Sequence, residues 1–179
     1  MGVLHIVVNG DPKMISNIEL WQEYLVRTAN SLLHRMVQKK WSDRSVFCLE
    51  KELFLGFFTA RKLIEANAVT RDCIAKTIQV IRFPTMKMPD GIDLDRLPYE
   101  VVPDSKKTAF SIRDVCNLFI HSWHIVPFGA NGVMVGFFIT SEFERKKGIY
   151  LITIFELVEI LRACAGREGL IDKQRKKDR

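Results

Sequence analysis

Two long stretches of helical periodicity constrain this chain more than any other feature. In "SNIELWQEYLVRTANSLLHRMVQKKW" (16–41), Ile18, Trp21, Leu25, Ala29, Leu32 and Met36 recur every three or four residues. That is the signature of a helix with one apolar face. Ser16 and Glu19 have the spacing of a capping box at its start. The next stretch, "SDRSVFCLEKELFLGFFTARKLIEAN" (42–67), opens on Ser42 as a candidate cap and carries Phe47, Leu53, Phe54, Phe57, Phe58 and Ile64. A surface that broad suits a helix buried against more than one neighbour, with Phe57 and Phe58 in the core.

The 179 residues provide length for one domain with a real core. At 47% hydrophobic and 27% charged, the composition is that of a globular protein rather than a disordered one. The net charge of +6 is modestly basic, and part of it lies in the tail "KQRKKDR". That tail reads either as a solvated terminus or as a contact to nucleic acid. Cys48, Cys73, Cys116 and Cys164 form no C-x-x-C pair, which speaks against a zinc module and fits free thiols in a reducing compartment. The opening "MGVLHIVVNGDP" lacks the basic start of a signal peptide, and Ile6 stands where a myristoylation signal needs Ser or Thr. With no uncharged run of membrane-spanning length, the expectation is a soluble, cytoplasmic protein that does not engage a membrane.

Further along, "TIQVIRFP" (77–84) has the β-branched content of a strand, although Ile74, Ile78 and Ile81 would also fit a helix. Pro84, Pro89, Pro98 and Pro103 punctuate the adjoining segment and predict a loop over 84–106. Ser111 and Asp114 form a second capping box, from which a third helix is expected to run into Trp123. "VMVGFFIT" and "GIYLITI", joined by the polar "SEFERKKG", read as a β-hairpin. Thr153 and Glu156 cap a last helix that ends at Gly166. The sequence therefore predicts a mainly α (α+β) fold: four helices in a bundle, with an inserted small antiparallel β-hairpin near 133–153. The domain spans 1–166, and 167–179 form a basic tail.

The candidate site lies in "RDVCNLFIHSW" (113–123). On a helical wheel with Ile112 at zero, Val115, Phe119 and Trp123 mark the core stripe, and Cys116 falls near it as a small apolar residue. Arg113, Asn117, His121 and His124 fall at roughly 100°, 140°, 180° and 120° and share a polar stripe. A neutral imidazole moves protons at physiological pH, a guanidinium grips a phosphate, and an amide orients either group. Together they suit cleavage of a phosphodiester by a ribose hydroxyl without a metal. The plain alternative is a solvent-facing polar face. His121 and His124 at i and i+3 also admit a metal pair, but a third ligand is missing. His5 and His34 have no supporting neighbours, and no phosphate loop, G-x-S-x-G or H-E-x-x-H motif is present.

"IRDVCNLFIHSW", following two long helices, resembles the signature region of the HEPN superfamily, in outline over 15–66 and 108–166. Members are small α-helical domains. Many are metal-independent RNases of toxin–antitoxin, abortive-infection and CRISPR systems, and others have lost activity. Their motif is an arginine, a polar residue that is often asparagine, and a histidine after four to six intervening residues. Asn117 and His121 match the last two. Cys116 occupies the arginine position, and Arg113 lies one turn earlier. The resemblance implies a four-helix HEPN-like bundle, a homodimer whose site forms where two such helices meet, no cofactor, and RNA as substrate. His121 would be the acid/base group, with Arg113 on the phosphate and Asn117 orienting. A protein partner such as an antitoxin or another defence component is also implied. The cysteine keeps a second reading open: a non-catalytic binding or dimerisation module.

Overall fold

A computed structural model describes residues 17–84, 105–130 and 132–166. Among the described residues five helices and five strands succeed one another: α1 (Ile18–Met36), α2 (Asp43–Glu65), α3 (Arg71–Ala75), β1 (Thr77–Phe83), β2 (Lys106–Ser111), α4 (Ile112–Ile120), β3 (Ser122–Ala130), β4 (Val133–Ser141), β5 (Ile149–Thr153) and α5 (Ile154–Cys164). The strands form one antiparallel sheet in the order β2-β1-β5-β4-β3. This corrects the four-helix bundle with a small hairpin: the molecule is a sheet-rich α+β fold.

The helical layer packs on one face of that sheet. Alternation along the strands places Ile78 and Val80 of β1, Phe137 and Ile139 of β4, and Tyr150 and Ile152 of β5 in one core. Leu25, Ala29 and Leu32 of α1 meet them from the helical side, with Leu53, Phe57 and Leu63 of α2 and Leu157, Val158 and Leu161 of α5. From α4, Val115, Cys116 and Phe119 enter the same core. The rings of Phe57 and Phe119 stack at 4.1 Å between centroids and lock α2 to α4. On the reverse face Phe138 meets Phe83 and Phe128 edge-on.

The expected caps of α2, α4 and α5 form. Ser42, Ser111 and Thr153 each accept from the backbone N–H three residues on. Ser16 lies outside the described residues, and Asn17 takes the cap position of α1 in a left-handed conformation. The segment 77–83 is a strand, and β4 pairs with β5 as the predicted hairpin.

Two strands escaped the sequence reading. β2 pairs with β1 from Arg82↔Lys106 to Thr77↔Ser111. β3 takes over residues assigned to the end of the third helix. That helix stops at Ile120, and Trp123 sits in the strand, 53% exposed rather than in the core. "SWHIVPF" is rich in β-branched and aromatic residues, and pairing with β4 overrides its weak helical continuation. Pro127 fits because β3 is an edge strand, where a missing N–H goes unmissed. The face of α2 also differs from expectation: Leu53 and Phe57 are buried, whereas Phe47, Phe54 and Phe58 face outward. The proline-rich segment 85–104 and the tail 167–179 lie outside the described residues.

Candidate functional site

Along α4 a cavity of about 680 Å³ opens between that helix, the sheet and the turn joining β4 to β5. From α4 come Asp114, Asn117 and Leu118, with His121 at the helix cap. α2 contributes Arg61, β1 Arg82, and β2 Thr108 and Phe110. The opposite wall is Ser141, Phe143, Glu144, Lys147 and Tyr150.

Arg61 organises the inner wall. Its Nε donates to Glu65 Oε1 at 2.7 Å, and its Nη1 donates to Asn117 Oδ1 at 3.0 Å. A guanidinium has five N–H donors in a planar fork, so these two bonds fix its plane and leave donors for a further acceptor. Hydrogen bonds from Arg61 and Lys62 hold the Glu65 carboxyl far below its usual range, at about 2. The amide of Asn117 is thereby oriented, its oxygen toward α2 and its NH₂ left for other acceptors.

The outer wall is a second network. Glu144 accepts from Lys147 Nζ at 2.8 Å and from Tyr150 Oη at 2.7 Å. Burial alone would raise the Glu144 carboxyl, but those two donors outweigh it and hold it below the usual carboxylate range. Tyr150 is pushed upward, by burial first and then by the carboxylate its hydroxyl serves. It stays a neutral donor.

His121 lines the cavity with an exposed side chain. Its backbone N–H bonds to Asn117 O as α4 ends, and its carbonyl accepts from Glu142 N at 3.2 Å, which ties the turn to the helix. Its imidazole meets the Phe143 ring edge-on at 5.6 Å.

Two of the three catalytic candidates, Asn117 and His121, therefore share a cavity, whereas Arg113 is exposed on the first turn of α4 and does not line it. His124 is exposed on β3, off the helical stripe assigned to it, so the helical i, i+3 pair with His121 does not exist. Among the described residues no group of three or more His, Cys, Asp or Glu side chains is placed to hold a metal ion. Nor, among them, is any helix long and apolar enough to cross a membrane. Cys116 is fully buried, and burial pushes its thiol up to about 12.

Sequence reasoning missed Arg61, Arg82 and the Glu144–Lys147 wall. Two charged residues between Ala60 and Leu63, the first with Glu65 four positions on, were the available signal for Arg61. The turn "SEFERKKG" showed its density of charge, but not that it folds against α4. Comparison with family models, with curated proteins and with solved structures returned no match.

Proposed function

We propose that the cavity takes a phosphodiester of RNA and that the protein is an RNA-directed endoribonuclease acting without a metal. His121 removes the proton of a ribose 2′-hydroxyl. The 2′-oxygen bonds to the adjacent phosphorus, the bond to the 5′-oxygen breaks, and the departing oxygen takes a proton from solvent. Arg61 serves the non-bridging oxygens, the part that the sequence pattern offered to Arg113, and Asn117 orients the reacting groups. The observation that carries this reading is the 3.0 Å bond from Arg61 to Asn117 inside the cavity that His121 also lines. Arg82 and Lys147 add to it, making three cationic side chains on the lining against the two carboxylates Asp114 and Glu144.

A binding module without catalysis is the second reading. Its support is that Arg61 and Lys147 already hold Glu65 and Glu144 in ion pairs of 2.7 and 2.8 Å. One experiment separates the two. End-labelled RNA incubated with the full chain in EDTA is expected to yield 2′,3′-cyclic phosphate ends, and His121→Ala to yield none. Equal cleavage by that variant would remove His121 from the mechanism. RNA bound but left intact by both proteins would favour the binding module.

A further inference from the structure

Two large aromatic rings near His121 are not absorbed by the core: Phe143 lines the cavity, and Trp123 lies on β3 outside that lining. Phe143, on the turn between β4 and β5, is 72% exposed, and its ring neighbour is the His121 imidazole. Trp123, two residues past His121, carries the Arg145 guanidinium 5.0 Å over its indole. The turn that holds Phe143 also places Arg145, Lys146 and Lys147 in sequence, and the Glu142–His121 backbone bond anchors that turn to α4. A ring left mostly in water contributes little to folding. Rings interleaved with cations are, however, the arrangement on which nucleobases stack while the backbone lies along positive charge.

We propose that Phe143 stacks a base next to the phosphate held in the cavity, and that the Trp123–Arg145 pair forms a platform for a neighbouring base. The inference rests on the reading of the cavity as a phosphodiester site and adds what that reading lacks: a means of choosing among RNAs. A base reaches a ring face only when it is unstacked from its own helix, so the ligand is an unpaired strand rather than a duplex. The sequence tolerance of stacking predicts little preference among bases.

The test is fluorescence anisotropy with a labelled ten-nucleotide 2′-O-methyl RNA, which lacks the attacking hydroxyl, offered single-stranded and as a duplex to the full chain. Phe143→Ala is expected to weaken single-strand binding about tenfold, within the range for losing one stacked base. Phe143→Trp should restore it. Duplex binding should be weaker in the wild type and unmoved by either change. Arg61→Ala should weaken both ligands. Unchanged single-strand affinity in Phe143→Ala, with Arg61→Ala still impaired, would overturn the stacking role and leave the cavity reading standing. A duplex bound as tightly as the single strand would also overturn the stacking role. Absence of RNA binding by the wild type would overturn both.

Discussion

Arg61 and Asn117, 56 positions apart in the chain, meet at 3.0 Å and join α2 to α4 at the wall of the cavity. Because Arg61 is also paired with Glu65, removing it breaks an ion pair and strips the wall of its planar donor. Arg61→Ala is expected to reduce single-turnover RNA cleavage by about 10²- to 10³-fold, the usual scale for losing an anion-stabilising donor. Arg61→Lys should recover only part, since an ammonium keeps the charge without the fork. Wild-type rates in Arg61→Ala would exclude it from the site.

Cys116, which the resemblance in the sequence sets at a nuclease motif's arginine position, is fully buried among core residues. Cys116→Arg is expected to destabilise the protein by more than about 3 kcal/mol in urea denaturation, because the charge is buried with no arranged partner. Cys116→Ala should cost about 1 kcal/mol. A stable and more active Cys116→Arg protein would contradict this placement.

Between α1 and α2, Glu52 accepts from Ser31 at 2.7 Å and from Arg35 at 2.9 and 3.2 Å. Burial raises its carboxyl, but the hydrogen bonds from Arg35 and Ser31 and the Arg35 charge outweigh it, leaving the group below 4.5. A carboxyl depressed by folding contributes its stability in full above the unfolded value and loses it as pH falls through the lower folded value. Melting temperature should therefore drop as pH falls below about 4.5, and Glu52→Gln should flatten that slope while lowering stability at pH 7. An identical acid limb in the variant would show that Glu52 is not its source.

Gly148 ends the turn that carries Glu144 and Lys147. Its φ is +152°, and a Cβ there would strike the carbonyl of Phe83 on β1. Gly148→Ala is expected to cost more than about 2 kcal/mol by thermal unfolding, from backbone strain and the clash together. Gly136, where a Cβ would meet the Ile152 carbonyl, should behave similarly. A neutral substitution at either position would mean that the strands can separate there.

The stacked Phe57–Phe119 pair couples stability to the site, since it sets how α2 and α4 lie. Phe119→Ala is expected to cost about 3–5 kcal/mol. At temperatures where the variant stays folded, RNA affinity should also fall, because Arg61 and Asn117 are borne by the two helices the pair joins. Intact affinity in the folded variant would show that the wall holds without it.

What the sequence by itself determined is what neighbours along the chain decide. The caps at Ser42, Ser111 and Thr153 and the stripe Leu25–Ala29–Leu32 rest on spacing within a few residues, and the β4–β5 hairpin on two apolar runs about a polar turn, whereas 77–83 had strand content but isoleucine spacing that also fits a helix. It also brought Asn117 and His121 within reach of one cavity, because they are one helical turn apart. Only the tertiary structure decided the rest. β2 and β3 exist through pairing with β1 and β4, and a strand's main-chain partners lie on another segment. The end of α4 at Ile120, the exposure of Trp123 and the outward rings of α2 were set by where the sheet lay. The arginine that bonds Asn117 in the cavity comes from α2 rather than α4 for the same reason: packing of Phe57 on Phe119, which no local pattern encodes, brings those helices together.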